Sequence, residues 1–286
     1  MASPIIEPWL YATARIENEW GGFGTGFLVG RRVDTDKVRI FLVTNKHVLH
    51  EDPVFRERAA HIMCDINLRS PEGTLIGERI TLGLRSRQGR KRWKEHPDDD
   101  VDVLALDVTD PVIKFPQAAA RYAGYERFVD EQKLDEFDIT IGEEVLIIGY
   151  PLGLGVGKIN RPLVRQGIIA TWIGDQITLP TVDEMRRPKA KTVRGFLVDG
   201  GVVPGSSGSP VVLKPAIGRV VKGVIQANRP APPLLLGIVA ETQLANVQTA
   251  RGIVTSLADL GVVFDAETVK ETVELFFVQP TSSAAG

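Results

Sequence analysis

The chain has 286 residues, 43% of them hydrophobic, enough to bury a sizeable core in one large domain or two small ones. Its formal net charge of −2 is not the balance of a protein that holds nucleic acid or an anionic membrane through its overall field. The single cysteine, Cys64, excludes an intrachain disulfide and fits a reducing compartment. With no basic leader and no run of about 20 apolar residues, a soluble cytoplasmic protein is expected.

Along the chain, short runs rich in Val and Ile dominate. In order they include "GTGFLVG", "RIFLVTN", "VDVLALDV", "EEVLIIGY", "QGIIATWI", "GFLVDG", "SPVVL", "KGVIQA" and "LLLGIVA", bounded by Gly, Pro, Asn or Asp. That pattern predicts many short strands in a barrel or sandwich. Residues 85–94 read as a loop with six basic side chains, followed by the acidic run Asp98 to Asp100. Residues 118–136 read as a weak helix, and 180–194 as a polar, Pro-containing loop. Asp265 can cap a helix whose apolar positions Val269, Val273 and Phe276 recur at helical spacing. The tail 281–286 reads as disordered. Without a repeat or a dividing linker, we expect one domain over 1–280. Its two β halves cover about 1–115 and 138–260, and a closing helix covers about 265–278.

Three serines crowd "PGSSGSPVV", residues 204–212. A serine hydroxyl attacks only when an imidazole takes its proton and a carboxylate fixes the imidazole tautomer. Of the four histidines, His47 ends a strand-like run, where a side chain is held rigidly beside a cleft. His50, His61 and His96 lie in polar or charged segments and read as structural or surface residues. Asp102 opens the apolar run Val103 to Leu106, a costly place for a carboxylate unless something such as an imidazole N–H binds it. Asp100 heads the same kind of run and is the alternative. In the serine loop the glycines allow backbone N–H groups to converge, as an oxyanion hole requires, and Gly205 and Ser207 would supply them. Each piece alone also has a plain structural reading: a surface histidine, a solvated acidic turn, a Gly/Ser hairpin.

Two other segments carry partial signals for other chemistries. "GYPLGLGVGK" has Gly153, Gly155 and Gly157 before Lys158, but Leu152 and Ile159 stand where a phosphate loop needs Gly and Ser or Thr. The basic loop contains Trp93, a stacking group for single-stranded nucleic acid, yet the flanking acids favour a self-pairing loop. No metal, cofactor, nucleic-acid or membrane partner is expected.

Taken together, the order His47, Asp102, Ser207 differs from the Ser-Asp-His order of α/β-hydrolases. The chain resembles the trypsin-like peptidases, most of all their disulfide-free, bacterial HtrA branch. "GTGFLVG" with "FLVTNKHVL" is similar to that branch's histidine-bearing strands, and "DVLALDV" to its aspartate strand. "IGEEVLIIGYPLGL" and "VRQGIIA" resemble the strands opening its second barrel, "DGGVVPGSSGSPVV" its nucleophile loop, and "ARGIVTS" the strand before its closing helix. The resemblance implies an all-β chymotrypsin-like fold of two six-stranded antiparallel barrels with a C-terminal helix. It implies a serine endopeptidase acting on polypeptides. His47 would be the general base, Asp102 the orienter and Ser207 the nucleophile, with Gly205 and Ser207 as the oxyanion hole. Counting back six residues from Ser207 reaches Gly201. With Val202, Ile238, Val239 and Ala240, it implies an apolar primary pocket and a small or aliphatic P1 preference. Glutamyl endopeptidases share "SGSP" but use a pocket histidine, which "LLLGIVAE" lacks.

The chain also departs from the family. Ser206 stands where the family usually has Asp or Asn, so pairing with a freshly cut N-terminus is not expected. About thirty residues follow "GIVTS", too few for the PDZ module that HtrA proteins carry. Room remains for a regulatory protein partner, and for the alternative that this is an inactive or latent protease-fold binding module.

Overall fold

Most of the predicted apolar runs become strands that pair antiparallel with a neighbour. The computed structural model describes residues 5–49, 59–69, 72, 75–113, 119–120, 122–155, 161–182, 187–227, 230–249 and 252–278. The first half begins with helix α1 (Glu7–Ala12) and strands β1 (Thr13–Asn18), β2 (Phe23–Asp34), β3 (Lys37–Thr44), β4 (His61–Arg69) and β5 (Leu75–Gly83). It continues through β6 (Trp93–Glu95), β7 (Leu104–Asp107), α2 (Thr109–Ile113), β8 (Ala119–Ala120), β9 (Ala123–Gly124) and α3 (Glu131–Phe137). The sheet runs β5-β4-β1-β2-β3-β7-β6, with β8 on β4 and β9 on β2. Its two edges meet, because the Arg92 N–H donates to the Leu84 carbonyl at 3.0 Å and the Ser86 N–H to the Arg90 carbonyl at 2.8 Å. The basic segment 85–94 is therefore a hairpin that closes the curl. Arg92 donates to the Asp107 carbonyl at 3.1 Å, and Lys91 lies 4.6 Å from the Trp93 ring centre, so part of its charge is used internally.

The second half comprises β10 (Glu144–Gly149), β11 (Leu163–Ile169), β12 (Asp175–Val182), β13 (Pro188–Asp199) and β14 (Pro210–Leu213). A small ribbon of β15 (Arg219–Val221) and β16 (Val224–Gln226) follows, then β17 (Leu235–Thr249), β18 (Gly252–Asp265) and helix α4 (Ala266–Glu274). Its sheet runs β11-β10-β14-β17-β18-β13-β12, and a further β11–β13 pairing closes six of these strands into a ring with β12 outside it.

Two sequence expectations change here. The polar stretch 180–194 is largely strand: β12 and β13 pair from Asp175↔Gly195 to Val182↔Pro188. Charged residues such as Lys189 and Arg194 hide the alternation, while the ladder satisfies the backbone. In 118–136 the helix is confined to α3, capped by Asp130, whose side chain accepts from the Lys133 N–H at 2.9 Å. The tail 281–286, His50 and the Gly157–Lys158 pair lie outside the described residues.

The period of two along β3 sorts its side chains between two cores. Ile40 and Leu42 join Ile16, Leu28 and Leu104 inside the first barrel. Phe41 and Val43 face the other way, into a cluster with Phe27, Ile148, Ile238, Phe264 and Val269 that lies between the halves. A third cluster, with Val145, Phe196 and Val211, fills the second barrel. Each fully buried aromatic in the interface contributes on the order of 1.5–3 kcal/mol, so apolar burial holds the two halves together. Helix α4 closes the interface: Asp265 caps the helix from the Thr268 N–H at 2.9 Å, Val269 and Val273 are buried, and the Phe276 ring sits 4.8 Å from Phe41. Among the described residues no helix is long and apolar enough to cross a membrane.

Candidate active site

His47 opens a single 3-10 turn, His47–Leu49, at the end of β3. Its Nδ1 lies 2.5 Å from Asp102 Oδ2, and its backbone N–H donates to Asp102 Oδ1 at 3.2 Å. A carboxylate only accepts, so Nδ1 carries a proton, and in the neutral imidazole Nε2 then has the lone pair. Asp102 lies just before β7, not in it. The Asn45 amide holds its carbonyl at 2.6 Å, and the Lys46 ammonium holds the Asp98 carbonyl at 3.0 Å. Burial pushes the Lys46 ammonium below its usual value, against the pull of Asp102, Asp99 and Asp98. No bond between Asp100 and the imidazole is found among the described residues; the Asp100 backbone N–H donates to Asp98 Oδ1 at 2.9 Å. Of the two aspartates weighed from sequence, Asp102 is the one at the imidazole.

The two other described histidines, His61 and His96, serve the scaffold. His96 is buried; its Nε2 meets Glu271 of α4 at 2.9 Å, and its Nδ1 accepts from the Asp98 N–H at 3.1 Å. Through His96 the closing helix braces the acidic loop that ends at Asp102. His61 Nδ1 lies 3.3 Å from Glu19.

On the opposite barrel, Ser207 sits in a loop whose peptide planes are fixed one by one. A trans peptide points its N–H and C=O in opposite directions, so pinning the carbonyl aims the amide. Pro204 O accepts from Leu152 N–H at 2.7 Å, which turns the Gly205 N–H outward. Ser206 O accepts from Ser209 N–H at 2.9 Å, which does the same for Ser207 N–H. The two intervening amides are used: Ser206 N–H binds Val203 O at 3.0 Å, and Gly208 N–H binds Val239 O at 2.8 Å. Among the described residues, the N–H groups of Gly205 and Ser207 find no acceptor. Two outward donors on a tight loop are what a developing oxyanion requires.

Gly205 and Gly208 have φ of 87° and 86°, the left-handed region that glycine tolerates. A Cβ on Gly208 would also overlap the Thr25 carbonyl oxygen. Gly208→Ala is therefore expected to destabilise the fold by more than the roughly 1–2 kcal/mol of left-handed strain, and to abolish covalent labelling of Ser207. Urea unfolding and active-site labelling would check this, and a variant of wild-type stability would contradict it.

The Ser207 hydroxyl donates to the Ala240 carbonyl at 2.9 Å. Ala240 falls at a register shift where β17 slips against β18, between Val239 and Glu241. Such bulges free a backbone group from the ladder. Gly24 brings the two sides together. At its Cβ position the Val48 methyls, one residue on from His47, lie 2.9 Å away and the Ser207 carbonyl 3.4 Å away. Of the pocket residues read from sequence, Val202, Ile238, Val239 and Ala240 are each at most 2% exposed and pack in the cores. Gly201, at φ 56°, is partly exposed. Three contributors escaped sequence reading. Asn45 holds Asp102; buried Asn18 clasps the Val48 carbonyl at 3.3 Å; Thr25 bonds to the nucleophile loop. Thr25, set in "GFGTGFLVG", interrupts an apolar run; Asn18 and Asn45 lie among other polar residues and gave no such signal.

A family model for the trypsin-like peptidase domain matches residues 24–221. The chain belongs to the trypsin-like peptidase family. The match reaches from the strand before His47, through Asp102, past Ser207. Among solved structures, the chain is similar to the Rv3671c protease of M. tuberculosis in its inactive form. They are 16% identical with a TM-score of 0.51, over 96% of this chain and 93% of that one. The active form of that protease gives 16% and 0.49, over 99% and 88%. Human heparin binding protein gives 13% and 0.48, over 99% and 97%. At these identities the likeness to the first is one of fold. No curated protein matched the sequence.

Proposed function

We propose that this trypsin-like peptidase domain is a serine endopeptidase of the HtrA-like, disulfide-free kind. The 2.5 Å contact between His47 Nδ1 and Asp102 Oδ2 carries the reading, because it leaves Nε2 as the base. Ser207 Oγ turns from the Ala240 carbonyl to Nε2, gives up its proton and attacks the substrate carbonyl. The oxyanion takes the Gly205 and Ser207 N–H groups, the imidazolium protonates the leaving amine, and water hydrolyses the acyl-enzyme by the same route. The vacated Ala240 carbonyl can then accept an N–H from an extended peptide. Ser206 is buried and offers no carboxylate to a new N-terminus, so this reading needs no N-terminal cleavage.

Gly201, the one of these positions that is partly exposed, carries no carboxylate to pair with Lys or Arg, and this supports cleavage after small or aliphatic residues. A mixed peptide library with sequenced products tests it. Cuts after Ala, Val or similar residues are expected, and strong cleavage after Arg or Lys would overturn the pocket assignment. A second reading, a latent or inactive binding module, draws on the Ser207–Ala240 bond, which engages the hydroxyl proton that a base would take. Wild-type turnover no greater than that of Ser207→Ala on every peptide would favour that module.

A further inference from the structure

Thr25 lies on β2 of the first barrel and is fully buried, yet it makes two bonds to the nucleophile loop and one to the end of β10 in the other barrel. Its hydroxyl accepts from the Tyr150 N–H at 3.0 Å and donates to the Gly205 carbonyl at 3.0 Å. These roles are forced, since an amide N–H only donates and a carbonyl only accepts. Its own N–H donates to the Ser207 carbonyl at 2.8 Å. Its carbonyl accepts from the Thr44 hydroxyl at 2.7 Å, three residues before His47. One residue thus joins the strand that leads to the imidazole, the end of β10 and the loop that carries Ser207.

The pattern of planes shows what this does. Between Pro204 and Gly208 there are four peptide planes. Two have their N–H groups turned outward, held through the Pro204 and Ser206 carbonyls. The carbonyls of the alternate two, Gly205 and Ser207, are both held by Thr25. The planes are linked through single Cα atoms, so a roll of either Thr25-bound plane tilts its neighbour and moves an oxyanion donor. Leu152 N–H, which holds Pro204 O, lies just beyond Tyr150, which Thr25 also binds. A main chain alone at position 25 would supply the bond to Ser207 but not the one to Gly205.

We propose that Thr25 is a positioning residue for acyl transfer. Its hydroxyl, relaying from Tyr150 N–H to Gly205 O, fixes the roll of the nucleophile loop relative to the His47 barrel and so aims the Gly205 and Ser207 N–H groups. The inference rests on the serine-peptidase reading. Thr25→Val keeps the shape and removes the hydroxyl, leaving a buried donor and a buried acceptor unpaired; Thr25→Ser keeps the relay.

Two measurements on the full chain test it: the rate of labelling by a fluorophosphonate, and hydrogen exchange of residues 203–209 followed by mass spectrometry. Thr25→Val should label about 100-fold more slowly, the loss that a misplacement of about 1 Å can cause. The bonded amides of Ser206, Gly208 and Ser209 should exchange faster in it. Thr25→Ser should stay within a few-fold of wild type in both. If the valine variant does not fold, Thr25→Ala takes its place. Wild-type exchange and labelling in the hydroxyl-less variant would overturn the inference, as would equal losses in the serine and valine variants. A wild-type protein that never labels would sink the peptidase reading, and the exchange arm would still decide whether Thr25 sets the loop.

Discussion

Replacing Ser207 by Ala is expected to lower kcat on a peptide substrate about 10⁶-fold, the loss typical of a nucleophile that works as one unit with its base. Of the three serines, Ser206 and Ser209 are buried, and each gives its backbone N–H to another loop carbonyl. Ser207 alone combines a less buried side chain with an N–H that finds no acceptor among the described residues. The change removes one hydroxyl and its bond to the Ala240 carbonyl, so melting temperature should move by only a few degrees. Ser206→Ala and Ser209→Ala should retain turnover within about tenfold if they act only through loop packing. Full activity in Ser207→Ala would end the proposed mechanism.

The second large effect concerns the carboxylate. Asp102→Asn preserves size and can still accept the His47 backbone N–H. If its amide group faces Nδ1, however, it donates, and the ring proton is driven to Nε2, where it faces the serine. A loss of about 10⁴-fold in kcat is expected, since this tautomer error is what such a change produces in a working triad. The Ser207→Ala, Asp102→Asn double variant should be hardly worse than Ser207→Ala, because the residues act together. Asp100→Asn should leave the rate unchanged. If Asp100→Asn is the damaging change, the relay has been assigned to the wrong aspartate.

What the sequence made visible follows from what local pattern encodes. The β architecture was legible because Val- and Ile-rich runs of strand length end at Gly, Pro, Asn or Asp. Helix α4 was legible because Asp265 caps a run with Val269 and Val273 on one face. The meeting of His47 and Asp102 was inferable because a carboxylate heading an apolar run needs a donor. The first half of β13, residues 188–194, was hidden because Lys189, Lys191 and Arg194 interrupt its alternation, and its hydrogen-bond partners lie on β12. Gly201 was reached by counting back from Ser207, and counting fixes where a residue falls in the chain, not that its apolar neighbours Val202, Ile238, Val239 and Ala240 are buried. Thr25, Asn18 and Asn45 looked like ordinary polar residues in turns and strands. Their partners lie 180, 30 and 57 residues away, and only folding reveals them.

The central claim is that a remote imidazole makes one serine of "PGSSGSPVV" nucleophilic. Treating the wild-type chain and His47→Ala with a fluorophosphonate, then mapping the added mass, tests it most directly. The account predicts a single adduct, on Ser207, that is lost in the histidine variant. An adduct on Ser206 or Ser209, labelling that persists without His47, or no adduct on the wild-type chain would contradict it.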